Sequence, residues 1–148
     1  MADMSIRKLY QATMTAGIKE CTVSGWVRTV RDSKAFGFIE VNDGTYFKNL
    51  QIVLEDGITE NFSEIIKTTL GSAIRATGEL VLTPGSKQPF ELKATKVEVL
   101  GLCDPSFPLQ KKRHTFEYLR TIAHLRPRTN TFYAVFRVRS LVAQAIHH

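Results

Sequence analysis

The run Ala35-Phe36-Gly37-Phe38-Ile39-Glu40-Val41 alternates cleanly. A period of two fits a strand with one buried face and no helix, because successive side chains leave a strand on opposite sides. Asn42-Asp43-Gly44-Thr45 follows as a turn signal, and Leu50-Gln51-Ile52-Val53-Leu54 reads as the next strand. Upstream, residues 20–31 are rich in β-branched side chains and interrupted by Gly25, the pattern of a strand bent by a bulge. After the third strand the period changes. Phe62, Ile65, Ile66 and Leu70 share one helical stripe, Asn61 and Glu64 stand at capping-box spacing, and Gly71 is placed to end the helix. That predicts a helix of roughly two to three turns. Two more strands, 73–82 and 90–100, are joined by a turn-rich loop, 83–89. A short lead, 5–16, has helical character.

Three strands, a helix and two strands, with a first strand long enough to serve both sides of a barrel, is the element order of an OB-fold. This is an all-β, five-stranded Greek-key barrel whose second and third strands and loops commonly bind oligonucleotides. An open five-stranded α+β sandwich gives a similar string. The barrel is expected over residues 1–101 and a linker over 102–129, beginning with Asp104-Pro105-Ser106-Phe107-Pro108, whose prolines disfavour helix. Helices are expected at 115–123 and 130–148, separated by Arg126-Pro127-Arg128. The last is apolar on more than one side, through Phe132, Val135, Phe136, Val138, Leu141, Val142 and Ile146, and calls for a partner that the rest of the chain scarcely offers.

The net charge of +6 is unevenly spread: twelve Lys/Arg face twelve Asp/Glu through residue 101, and eight face two beyond it. A neutral barrel that binds RNA cannot rely on a general field over phosphates and needs a local site of placed aromatics and hydrogen-bonding groups. The basic excess lies in Lys111-Lys112-Arg113, Arg120, Arg126, Arg128, Arg137 and Arg139, each of which singly fits a solvated surface. Cys21 and Cys103 suggest neither a disulfide framework nor a metal knuckle, and no His spacing fits a ligand set, so no metal is expected. No stretch approaches the roughly 20 apolar residues of a membrane span, and the N-terminus has no secretory pattern, which predicts a cytoplasmic protein.

Alternation also sorts the faces. If Ile39, Val41, Ile52 and Leu54 fill the barrel, Phe36, Phe38 and Gln51 stand outside it. An exposed ring beside an amide suits single-stranded RNA, since the ring stacks on a base and the amide both donates to and accepts from a base edge. Aromatics are frequent in strands, so the two rings equally fit a face that covers the helix or a neighbouring domain. Arg28 and Arg31 at the end of the first strand could meet phosphates or stack, and Glu91 on the fifth strand could accept from an amino group. Taken singly, each also fits a surface charge.

The runs Ser24-Gly25-Trp26-Val27-Arg28-Thr29-Val30-Arg31-Asp32-Ser33-Lys34-Ala35, Phe38-Ile39-Glu40-Val41-Asn42-Asp43-Gly44 and Asn49-Leu50-Gln51 resemble the anticodon-binding OB-fold of the aspartyl, asparaginyl and lysyl class II tRNA synthetases. Lys112-Arg113-His114-Thr115-Phe116-Glu117-Tyr118-Leu119-Arg120, then His124-Leu125-Arg126-Pro127-Arg128-Thr129-Asn130, is similar to the asparaginyl branch, as is Ser33-Lys34-Ala35. The resemblance runs from about residue 20 to the end. It implies that Phe38 stacks on the middle anticodon base, a uridine, that Gln51 reads that base's edge, and that Arg31 and Glu91 adjoin it. Arg28 joins this candidate set. Lys87 in the 83–89 loop is expected to meet an outer anticodon base, although the family's arginine near the loop's start is Thr83 here. Phe36 reads as packing or a secondary stacking surface. Residues 130–148 resemble the first helix of a truncated class II α/β catalytic domain, which builds the homodimer interface in that family.

The resemblance therefore implies an asparagine-tRNA ligase acting on tRNA(Asn), with ATP and Mg²⁺ bound by parts of the full-length enzyme beyond this chain, which alone is expected to be inactive. An aspartyl-tRNA synthetase fragment, a generic single-strand-binding OB module, and an interaction domain that buries its phenylalanines against a partner are the competing expectations.

Overall fold

Fourteen extended residues, Glu20–Ser33, form the longest strand of the computed structural model, which describes residues 2–12, 19–86 and 88–148. Among these, two compact units are present, Met1–Phe107 and Pro108–His148.

In the first unit a two-residue strand, β1 (Ala2–Asp3), and helix α1 (Ile6–Ala12) precede the long strand, β2. Then come β3 (Phe36–Asn42), β4 (Leu50–Glu55), the short helix α2 (Phe62–Ile65), β5 (Ala73–Leu82) and β6 (Phe90–Gly101). Over its first half, Glu20 to Trp26, β2 pairs antiparallel with β5, and over its second half, Trp26 to Ser33, with β3. Antiparallel β3–β4, parallel β4–β6 and antiparallel β5–β6 pairings complete the ring, so β2 through β6 form the closed five-stranded barrel expected of an OB-fold. One strand serving both sides leaves the barrel no free sheet edge there.

Gly25 lies beside the residue where β2 changes partner, but the bulge is not there. The register slips between Val27 and Thr29, at Arg28. What Gly25 provides is close approach, since a Cβ at this position would lie 2.9 Å from the Asn42 carbonyl oxygen and meet the Val41 side chain.

The barrel interior is built from Val23, Val27, Ile39, Val41, Leu50, Ile52, Leu54, Ile74, Phe90 and Leu92, all essentially inaccessible to solvent. Helix α1 adds Ile6 and Leu9 to the same core. Its first turn is held by the turn after β3, where Asp43 Oδ2 accepts from Ile6 N at 2.8 Å and Thr45 Oγ1 from Arg7 N at 3.1 Å. Those acceptors satisfy amides that a helix start otherwise leaves without partners. The expected lead helix extends into residues 13–18, outside the described residues.

The helix between the third and fourth barrel strands exists but is a single turn, not two to three. Asn61 adopts a left-handed conformation, φ 57°, and its side chain forms no cap, so the expected capping box is absent. Gly71 has positive φ, 87°, but sits well past the helix end. Tertiary pairing stops the helix: Gly71 N donates to Val27 O and Val27 N to Ser72 O, which binds this backbone to β2 beside the bulge. The apolar stripe survives the change, with Ile65 buried and Phe62, Ile66 and Leu70 packed on the core. Residues past β6 return to the same place, where Thr69 Oγ1 donates to Cys103 O at 2.6 Å and Cys103 N to Ser72 Oγ at 2.9 Å.

The second unit contains α3 (Phe116–Thr121), a 3-10 turn (Arg126–Arg128) and α4 (Asn130–His147). Thr115 Oγ1 caps α3 by accepting from Tyr118 N. The Arg126 guanidinium lies 5.1 Å from the Phe132 ring centre and 5.5 Å from that of Phe136, so it stacks on the first turns of α4. No residue of α4 is buried, and Val138, Leu141 and Ile146 are among the most exposed apolar side chains on it. No helix among the described residues is long and apolar enough to cross a membrane.

Candidate nucleic-acid interface

The outward face of the barrel can be built from register alone, because cross-strand partners in a sheet share a side. Arg31 pairs with Phe38, and Phe38 with Val53, which makes one row. Thr29 pairs with Glu40, and Glu40 with Gln51, which makes the next. Parallel pairing of Ile52 with Leu92 then carries the second row from Gln51 to Glu91, the residues preceding that pair. Along β3 and β4 buried and accessible residues alternate without a break, with Gly37, Ile39, Val41, Leu50, Ile52 and Leu54 inside. Phe38 and Gln51 are half-buried on the outer side, as alternation predicted.

Four of the six candidate residues come together here. The Arg31 guanidinium stands 5.4 Å from the Phe38 ring centre. Gln51 Nε2 donates to Glu91 Oε1 at 2.9 Å. An amide carries two N–H donors and a carbonyl acceptor, so one N–H held by Glu91 leaves a donor and an acceptor for a ligand. Arg28 is the extra residue of the bulge and is no register partner in either row. Lys87 lies outside the described residues.

Three further residues shape the site. Gln88 Oε1 accepts from the backbone N–H of Gln51 at 3.1 Å, which ties Gln88 to β4. Thr83 closes that loop at its neck, donating through Oγ1 to Gln88 O at 2.8 Å and through N to Pro89 O at 2.9 Å. Asn49 Nδ2 donates to Glu40 Oε2 at 3.0 Å and its Oδ1 accepts from Asn42 Nδ2 at 3.1 Å, so Glu40 is held beside Gln51. Two carboxylates therefore flank the amide. Alternation marked Glu40 as outward, but Gln88 and Asn49 lie in loops, where no period signals direction.

Such a face has an apolar ring under a cation, an amide fixed by one acid, and a second acid alongside. It offers stacking and base-edge hydrogen bonds rather than a phosphate track. Among the described residues no group of three His, Cys, Asp or Glu side chains converges as a metal site would require.

Comparison with known proteins agrees with this architecture. Residues 21–100 match the family model described as an OB-fold nucleic acid binding domain. The chain is 70% identical over 147 residues to the asparagine–tRNA ligase of Acetivibrio thermocellus, a match covering 99% of this chain and 32% of that protein. It thus spans about a third of the length of such relatives. Among solved structures, asparaginyl-tRNA synthetase from Pyrococcus horikoshii superposes with a TM-score of 0.75 at 23% identity, over 86% of this chain and 30% of that one. Aspartyl tRNA synthetase from Entamoeba histolytica superposes with a TM-score of 0.74 at 18% identity, over 93% of this chain and 34% of that one. At those identities the two structures speak for the fold alone, and the fold is shared between asparaginyl and aspartyl enzymes. With the family model matching the whole barrel and the strand connectivity that of a closed five-stranded barrel, the chain belongs to the OB-fold nucleic acid binding domain family.

Proposed function

We propose that this chain is the anticodon-reading segment of an asparaginyl-tRNA synthetase, and that Phe38 and Gln51 grip the central uridine of the tRNA(Asn) anticodon. The observation that carries the reading is the Gln51 amide, fixed by Glu91 at 2.9 Å beside an outward aromatic ring. A uracil edge offers an N–H donor next to a carbonyl acceptor. The free carbonyl and remaining N–H of Gln51 complement that pattern in one orientation, and Glu91 and Glu40 are placed to accept from N–H groups.

Stacking decides the competition for the ring. An exposed cation–π contact such as Arg31 on Phe38 is worth about 0.5–1 kcal/mol, whereas a stacked base contributes about 1–3 kcal/mol. An arriving base therefore displaces the guanidinium, which is then available to a phosphate. Arg28 and Lys87 are proposed as flanking contacts, Lys87 toward an outer anticodon base.

The likeness to asparagine–tRNA ligases extends the reading to the whole enzyme, which would activate asparagine with ATP and Mg²⁺ in the cytoplasm and work as a homodimer through the apolar side of α4. ATP and Mg²⁺ would be held by parts of the full-length enzyme outside this chain.

Titrating the chain with anticodon stem-loops that differ only in the central base tests the reading. It predicts that uridine is preferred by roughly fivefold or more, the discrimination that about 1–3 kcal/mol of base readout gives. Equal affinity for all four loops would point to a generic single-strand module, and no binding to an interaction domain.

A further inference from the structure

Phe36 is left outside the mechanism above, yet it is 42% exposed on the same face of β3 as Phe38. It contributes nothing to the barrel core, whose β3 members are Ile39 and Val41. Its cross-strand partners are Ser33 and Glu55. Ser33 is too short to cover a ring, and the next outward position along β3 is Phe38 itself. The turn beyond carries Lys34, exposed and held at φ 58°, with its N–H donating to Asp32 Oδ1.

We propose that Phe36 is a second stacking platform, which takes the nucleotide adjoining the central one on the side of the β2–β3 turn. This rests on the anticodon reading above. Residues two apart on a strand are separated by about 6.7 Å, while stacked bases in a duplex rise by only about 3.4 Å. Two rings at successive outward positions of one strand therefore cannot both hold bases that remain stacked on each other. They fit consecutive bases splayed out along an unstacked strand, as sheet aromatics hold them in other RNA-binding modules. A base, rather than a protein partner, is the occupant favoured by continuity with the Phe38–Gln51 face, where Arg31 stacks on the neighbouring Phe38, and by the exposed Lys34 in the turn two residues before Phe36. The consequence is that the chain holds two adjacent anticodon bases open, not one.

Binding of the chain and its Phe36→Leu, Phe36→Tyr and Phe38→Leu variants would be measured against an intact uridine-centred stem-loop and against loops abasic at the central or at either flanking nucleotide. Phe36→Leu should weaken binding of the intact loop by about fivefold or more, and Phe36→Tyr, which keeps the ring, should restore it. The Phe36→Leu penalty should vanish on one of the two flanking-abasic loops and persist on the central-abasic loop, whereas the Phe38→Leu penalty should vanish only on the latter. A Phe36→Leu chain that binds the intact loop as tightly as the parent, or a penalty that survives both flanking-abasic loops, would overturn the second platform while leaving the central one standing. If Phe38→Leu also binds unchanged, the anticodon reading itself has failed.

Discussion

Phe38 lies between two inward residues, Gly37 and Ile39, and its ring is half-buried rather than part of the core. Its removal should therefore separate binding from stability. Phe38→Ala is expected to cost about 1–3 kcal/mol of anticodon-loop affinity while the melting temperature stays close to that of the parent; a chain that fails to fold would instead place the ring in the core. Gln51→Ala should leave most of the stacking and relax the choice of central base, so that the spread of affinities across the four stem-loops narrows. A spread as wide as the parent's would assign base reading to another side chain. The outward placement of Phe38 and Gln51 was legible in the sequence because a strand's period is two, so a single inward residue assigns every neighbour to a face. The Gln51–Glu91 bond was not legible from pattern, since it depends on parallel pairing between strands 40 residues apart. Only the family resemblance joined those two residues in advance.

Among the elements, α1 and the turn after β3 depend on each other. Asp43 supplies an acceptor for the first helical amide and also organises its own turn, accepting from Thr45 N at 2.9 Å. Asp43→Ala should lower stability by about 1 kcal/mol, the usual cost of a lost cap, as read by chemical denaturation; no change would mean that water replaces the carboxylate without loss. Further along α1, Tyr10 packs against Tyr46 and Phe90, with ring centres 4.7 Å away in each case, and donates to Asn49 O. Burial, and then the neighbouring Tyr46, push its phenol above the ordinary tyrosine value of about 10. The native state thus holds this proton more tightly than the unfolded chain does. That contribution is complete below the unfolded value and is lost as pH rises through the folded one. Stability should fall as pH climbs past about 10, and Tyr10→Phe should flatten that fall; an unchanged slope would assign the alkaline loss to other groups. Strand order and strand limits were readable because β-branched runs and turn residues are local signals. The length of α2 was not. Asn61, Glu64 and Gly71 carry correct helix punctuation, and the hydrogen bonds Gly71 N to Val27 O and Val27 N to Ser72 O override it.

At the scale of the whole molecule, charge is unevenly divided along the chain, and the proposed base-reading residues lie in its balanced part. Through residue 101 the cations and anions balance, and the basic surplus follows. Phosphate attraction adds affinity without sequence information, whereas ring and amide contacts choose the base. On the proposed reading, a barrel without net charge limits indiscriminate binding, and the carboxylates Glu40 and Glu91 beside Gln51 disfavour a phosphate there. Placing iodouridine at the central position of the anticodon stem-loop, irradiating the complex and mapping the cross-linked peptide by mass spectrometry tests the central claim most directly. The account predicts a cross-link to Phe38 that is lost in Phe38→Leu; attachment in the basic segment at Lys111–Arg113 or on α4, with Phe38 untouched, would contradict it.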